Sequence, residues 1–331
     1  MERWVSRRDD LLLEHDTGGN LLITQKGRNM HAPVLAVAHM DHPAFVITSV
    51  DGPAATFEFR GGVTPPYFEK ASVEVVSRPD GSAGTVVSYD DSTQRGEITI
   101  TSGGSIEVGD IGMFKMPKGR TPKGRFRAPA CDDLAGAAAA LAALDRCRRD
   151  PSLRHFGVLL TRAEEVGLVG AIHAARNRTI PDDARVISIE TSRELVNARI
   201  GDGPVIRTGD RSTVFDREMT NRISRSAASA GLPHQRKLMD GGGCEATAFG
   251  AYGYRSTGLC LCLGNWHNRG NLDSVERGEG EASPMLEEIS LDDFHGLIDL
   301  LVLAATAVDT EDLTRHRLDA SYESTKHYLA L

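Results

Sequence analysis

His39 and Asp41, Asp132 and Asp133, Glu164 and Glu165, Glu190 and His267 are the side chains of this sequence best equipped for chemistry. Imidazoles and carboxylates ligate zinc and harder divalent ions, and both also move protons. Glu164 and Glu165 lie in Thr161-Arg162-Ala163-Glu164-Glu165-Val166-Gly167-Leu168-Val169-Gly170-Ala171, between an apolar run and a small-residue helical pattern. Neighbouring residues in a turn point in different directions, so one carboxylate is available to a metal while the other handles a proton. Taken alone, the pair also fits a helix start, whose dipole favours acidic residues. Asp132-Asp133 equally fits an N-cap. A single histidine after a strand is more often structural.

The elements that carry these residues decide between the readings. Ala32-Pro33-Val34-Leu35-Ala36-Val37-Ala38 ends at His39, and Phe156-Gly157-Val158-Leu159-Leu160 leads to the glutamate pair. Arg185-Val186-Ile187-Ser188-Ile189 ends at Glu190, and Gly258-Leu259-Cys260-Leu261-Cys262-Leu263 leads to Asn265-Trp266-His267. Such runs fit strands buried on both faces of a parallel sheet. Parallel strands bring their carboxyl ends together, which is where open α/β sheets bind ligands. Two like charges about 4 Å apart repel by roughly 4 kcal/mol at an effective dielectric near 20. Two divalent ions held by two histidines and three carboxylates would remove that repulsion without protonating the acids. The mixed donor set suits zinc, with cobalt or manganese as alternatives.

The rest of the chain frames this edge. From about residue 48 to about 127 the texture is rich in Val, Thr, Gly and Pro, with alternation in Ser72-Val73-Glu74-Val75-Val76 and turns at Arg78-Pro79-Asp80-Gly81 and Ser102-Gly103-Gly104. This predicts a small antiparallel β domain, a barrel or sandwich, inserted into an α/β fold. The domains are then 1–47, 48–127 and 128–331. Helices are expected over residues 134–144, 220–230 and 291–308, the last capped by Ser290. The chain has 331 residues, 40% hydrophobic and 25% charged, enough for a sizeable core. Its net charge of −8 gives no case for nucleic acid or an anionic membrane. The basic run at 115–127 reads as a solvated loop. Five cysteines without a disulfide framework point to a reducing compartment. The first ten residues lack an apolar h-region and read against a signal peptide. No Gly-x-Ser-x-Gly elbow is present.

Ala38-His39-Met40-Asp41, Asp132-Asp133-Leu134-Ala135-Gly136, the string through Glu164-Glu165 and the late His267-Asn268, in that order, resemble the tetrahedral-aminopeptidase, or glutamyl-aminopeptidase-like, family of dinuclear metallopeptidases. Asp16 with Gly19-Asn20, and Gly203-Pro204, are similar to further family landmarks. The resemblance covers most of the chain. It implies a three-layer α/β/α fold with a mostly parallel sheet and a barrel-like insert serving oligomerisation and substrate access. It also implies removal of N-terminal residues from short peptides, two divalent metal ions, and dimers that build a tetrahedral dodecamer. The cysteine usage and the start of the chain, by contrast, are what point to a cytoplasmic location. Carried over by residue, Asp133 bridges the metals. His39 and Glu190 complete one site, and Glu165 and His267 the other. Glu164 is the general base for a metal-bridging water, and Asp41 orients His39 through its ring N–H. Relatives often have a cis peptide just after the bridging Asp, here between Asp133 and Leu134.

The departures keep two alternatives open. Glu190 stands where the family usually has Asp and is closer to the related carboxypeptidase and deacylase branch, so a di-metal N-acyl amino acid deacylase or carboxypeptidase is one. A non-catalytic paralogue acting as an assembly or binding module is the other. Leu134 replaces a polar residue, Gly242-Gly243-Cys244-Glu245-Ala246 is only loosely similar to the family's glycine-rich loop, and the segment before Asp16 is short. Arg255 and Trp266 are candidates for the specificity pocket.

Overall fold

The computed structural model describes residues 1–27, 32–77, 81–310 and 314–330. Its centre is an eight-stranded sheet in the order Leu11–His15, Leu21–Gln25, Phe156–Thr161, Val34–His39, Arg185–Arg193, Arg255–Leu263, Val205–Gly209, Gln235–Leu238. The four middle strands run parallel, and both flanking neighbours, Leu21–Gln25 and Val205–Gly209, join them antiparallel. The middle strands are buried along most of their length because helices cover both faces. Val34, Ala36 and Ala38 enter one core, with helices Leu134–Cys147, Arg217–Ser229 and Leu291–Ala307. The alternate residues Leu35 and Val37 enter the other, with helices Val169–Arg176 and Glu245–Ala251. This is the three-layer α/β/α arrangement that the family resemblance implies.

Caps set the helix starts. The Ser290 hydroxyl accepts from the Asp293 amide at 3.2 Å, and the Asp216 carboxylate accepts from the Met219 amide at 2.8 Å. Asp216 starts its helix at Arg217, ahead of the expected residue 220. Asp133 sits at the N-cap position of Leu134–Cys147 but makes no side-chain cap bond, so capping does not explain the Asp pair.

The inserted β region is a closed barrel of six strands, Ala44–Asp51, Ala54–Arg60, Arg95–Ser102, Ala83–Asp90, Ser72–Val75 and Ile111–Phe114, in spatial order. It starts at Ala44 rather than residue 48. Its core is aromatic: Phe45 packs edge-on against Phe57, Phe59 and Phe114 at ring distances of 4.8, 5.0 and 5.1 Å. Arg78, Pro79 and Asp80 of the expected turn lie outside the described residues. Arg125–Ala128 pairs with Glu287–Ser290 of the main fold, so the end of the basic run is tied down, with Arg127 on Glu288. The five cysteines are free and buried. No described helix is long and apolar enough to cross a membrane. The helix Thr314–Thr325 buries none of its side chains.

Candidate metal centre

Strand register gathers the chemistry. Thr161 pairs with His39 across two parallel strands, and Ser188 pairs with Val37 on the other side, which brings Glu190 to the level of His39. His39 Nε2 lies 3.3 Å from Asp132 Oδ1, 3.4 Å from Glu190 Oε1 and 3.9 Å from Glu164 Oε2. His267 Nε2 lies 3.2 Å from Glu165 Oε2 and 3.6 Å from Asp132 Oδ2. The Asp132 carboxylate therefore stands between the two imidazoles, one oxygen toward each. Ligand atoms of His39, Asp132 and Glu165 fall within 4.8 Å of one another. A cleft of about 380 Å³ opens beside them, lined by Gly62, Glu164, Glu190, Gly242 and Trp266 among others.

Both imidazoles are oriented by backbone carbonyls. His39 Nδ1–H donates to the Asp41 carbonyl at 3.0 Å, and His267 Nδ1–H donates to the Gly62 carbonyl at 2.8 Å. A carbonyl only accepts, so each Nδ1 carries the proton and each Nε2 turns toward carboxylates. Gly62 belongs to the barrel region, which makes the insert part of the site. His267 also sits in a run of left-handed residues, with Asn265, His267 and Asn268 at φ of 53°, 55° and 59°. Such backbone is costly for non-glycine residues and concentrates at functional sites.

The glutamate loop is held from behind. The Asp41 carboxylate accepts the Glu164 amide through Oδ1 and the Glu165 amide through Oδ2, both at 3.1 Å. Asn20 Oδ1 accepts the Arg162 amide at 3.1 Å, while its NH₂ reaches the Gly170 carbonyl at 3.0 Å and Asp16 Oδ2 at 2.7 Å. Gly170 is required by closeness: a Cβ there would stand 2.2 Å from the Arg162 carbonyl oxygen. The Asp16–Asn20 turn and the small residues after Glu165 thus fix the loop that aims the two glutamates.

Two placements differ from the sequence expectation. Asp133 is not between the histidines: it is fully buried, and its Oδ1 accepts the Thr191 hydroxyl at 2.6 Å. Asp132 faces the cleft instead. Its Oδ2 accepts from Trp266 Nε1 at 3.0 Å, and its amide is held by Glu287 Oε2 at 3.0 Å. The cis peptide joins Asp132 to Asp133, one bond before the expected position. Asp41 meets His39 through its carbonyl, its carboxylate lying 3.8 Å from Nδ1 and committed to the loop amides. Of the specificity candidates, Trp266 lines the cleft, whereas Arg255 begins its strand at the opposite end and pairs with Asp216 at 2.8 Å.

Three buried residues around the centre escaped the sequence reading. Glu287 joins the site loops: its Oε1 accepts the His267 amide at 2.8 Å, and its Oε2 accepts the Cys131 amide at 2.7 Å. Glu245 accepts the Thr161 hydroxyl, and its Oε2 has no hydrogen bond among the described residues. Arg207 lies 3.7 Å from Glu190. Arg207 left a signal, being a charge inside the apolar pattern Val205-Ile206-Arg207-Thr208-Gly209. Glu287 left none, because a surface strand has the same pattern.

The donor set fits divalent ions. Asp132 Oδ1, Asp133 Oδ2 and Glu165 Oε1 are buried without a hydrogen bond among the described residues, although buried polar atoms are normally satisfied. Burial pushes the carboxyls of Glu164, Glu190 and Asp133 up, and neighbouring carboxylates add to it at each. Burial pulls the His267 imidazole down, but Glu165 and Asp132 outweigh it and raise it to about 10. The same contest raises His39. Both histidines thus experience a strongly negative pocket that favours a cation at Nε2, the arrangement of an imidazole–carboxylate metal site.

The chain is similar to a known family and to several solved structures. The family model described as M42 glutamyl aminopeptidase matches residues 101–277. A protein of Acetivibrio thermocellus, whose name proposes an aminopeptidase, is 25% identical over 253 residues, covering 70% of this chain and 73% of that protein. Among solved structures, a TET aminopeptidase from a marine-sediment Thaumarchaeota archaeon is 21% identical, with a TM-score of 0.75 over 93% of this chain and 92% of that one. The Pyrococcus horikoshii TET1 peptidase, reported to assemble into a tetrahedron or a large octahedral shell, is 21% identical, with a TM-score of 0.72 over 92% of each chain.

Proposed function

The chain belongs to the M42 glutamyl aminopeptidase family and is a metal-dependent aminopeptidase, and from that premise we propose how its own residues divide the work. Asp132, rather than Asp133, would be the carboxylate shared by two divalent ions, with His39 and Glu190 holding one and His267 and Glu165 the other. The observation that carries this reading is the Asp132 carboxylate, with one oxygen 3.3 Å from His39 Nε2 and the other 3.6 Å from His267 Nε2. When bound, such ions polarise a scissile carbonyl and lower the pKa of water to about 7. Zinc suits the donors best, with cobalt and manganese as alternatives.

Glu164 is the general base. Its carboxylate lines the cleft, its amide is clamped by Asp41, and burial raises its proton affinity; a positioned carboxylate of this kind can move a proton in the transition state. It takes the proton of the attacking water at its carboxylate and delivers it to the leaving amine. Asp41 acts by position, tying the His39 ring and the glutamate loop together. Trp266, by its bond to Asp132, holds that carboxylate in place and walls the cleft. Glycines 241 to 243 also line the cleft, where missing side chains let peptide backbone approach closely.

Short peptides are the proposed substrates, and the barrel is proposed to limit their access and to serve assembly into a homo-oligomer, as the Pyrococcus horikoshii relative assembles. The free buried cysteines suit a reducing compartment such as the cytoplasm. The decisive assay is a panel of aminoacyl anilides against N-acyl amino acids, run on wild type and Glu164→Gln. Turnover confined to free amino termini, with Glu164→Gln about 10²–10⁴-fold slower at unchanged metal content, is the predicted result. Preferred hydrolysis of N-acyl amino acids would favour the deacylase reading, and a fully active Glu164→Gln would sink the base assignment.

A further inference from the structure

We propose that Arg207 is a positioning residue that fixes Glu190, taking one of its carboxylate oxygens and leaving the other to the metal site shared with His39. The proposal rests on the dinuclear reading above. Arg207 is only 1% exposed and is the largest fully buried side chain among the described residues. Its Nη1 lies 3.7 Å from Glu190 Oε2, while Glu190 Oε1 lies 3.4 Å from His39 Nε2. The two oxygens of one carboxylate thus face different partners. The guanidinium also donates from Nη1 to Ser192 Oγ, on the same strand as Glu190, and from Nη2 to the carbonyl of Met239, which follows the strand Gln235–Leu238, each at 3.4 Å.

The sheet makes room for this arginine. Arg207 pairs in register with Gly258 on the neighbouring strand. A Cβ on Gly258 would meet Arg207 at 3.2 and 3.3 Å and the Phe215 ring at 2.9 Å. A long charged side chain inside a sheet is costly unless its charge is paired. Glu190 supplies that pairing. A glutamate side chain carries three torsions, so its metal-facing oxygen needs a second anchor, and the planar guanidinium provides it. Substrate recognition is the competing role for a cleft arginine, but burial leaves Arg207 almost no surface to offer.

The test compares wild type, Arg207→Met, Arg207→Gln, Arg207→Lys, Glu190→Gln and the Arg207→Met/Glu190→Gln double variant. Metal-free proteins are titrated with zinc by calorimetry, and cobalt-loaded samples are read by visible absorption. The proposal predicts two ions in wild type. In Arg207→Met and Arg207→Gln one ion binds normally, the other at least tenfold more weakly, with an altered cobalt spectrum. Arg207→Lys recovers part of the affinity, and adding Arg207→Met to Glu190→Gln changes affinity less than twofold. Arg207→Gln keeps the test valid if the Met variant does not fold. Normal affinity for both ions with an unchanged cobalt spectrum overturns the proposal, as does an undiminished effect in the Glu190→Gln background. So does an effect confined to KM. Wild type that binds fewer than two ions overturns the dinuclear reading first, and this proposal with it.

Discussion

Asp132 and Asp133 are adjacent and chemically identical, yet their surroundings assign them different work. Asp132→Asn removes the charge between the histidines and is predicted to abolish tight metal binding. Asp133→Asn keeps an Oδ1 for the Thr191 hydroxyl and is predicted to retain both ions, as metal analysis after gel filtration would read. Equal loss in the two variants would contradict the division. A sequence records that a pair of carboxylates stands at the start of a helix. Which member turns into the cleft depends on Trp266, Thr191 and Glu287, all more than 50 residues away in the chain, and no local pattern encodes it. Glu245 makes a second prediction at this scale. Burial raises its carboxyl from 4.5 to about 7. A carboxyl whose pKa is higher in the folded state contributes stability when protonated. That contribution is complete below the unfolded value and is lost as pH rises through about 7. The permanently neutral Glu245→Gln escapes the loss, which is on the order of a few kcal/mol. In metal-free protein its Tm should exceed that of wild type by more at about pH 8 than at about pH 5. A constant difference between the two pH values would count against the account.

At the scale of elements, the sheet and the barrel were legible because each buries its residues with a simple period, continuous for the parallel strands and alternating for the barrel. The glutamate loop was less so. Asp16-Thr17-Gly18-Gly19-Asn20 reads as an ordinary turn, and its value lies in bonds from Asn20 to Arg162 and Gly170 across the sheet edge. Asn20→Ala leaves a buried amide and carbonyl without partners, at a cost of about 1–3 kcal/mol each. The variant should melt earlier and lose kcat through a loosened Glu164 while keeping its metals. Unchanged kcat with lowered Tm would mean that the turn supports the fold alone.

For the molecule as a whole, barrel and sheet meet at the histidine loop. The Gly62 carbonyl orients His267, and the Tyr67 hydroxyl donates to the Gly270 carbonyl at 2.7 Å. Tyr67→Phe removes the second tie at a cost of about 1 kcal/mol. It is predicted to weaken metal binding on the His267 side more than on the His39 side. This dependence was invisible in the sequence, where the insert reads as a separable module. Light scattering of purified protein would test the proposed assembly, and a monomer at all concentrations would contradict it.

One carboxylate, Asp132, is proposed to be shared by two metal ions. Anomalous diffraction from zinc-loaded crystals, collected on both sides of the zinc edge, tests it directly. The predicted map has two zinc peaks per chain, one beside His39 and Glu190 and one beside His267 and Glu165, with Asp132 between them. A single peak, or two peaks joined through Asp133 with Asp132 turned away, would contradict the account.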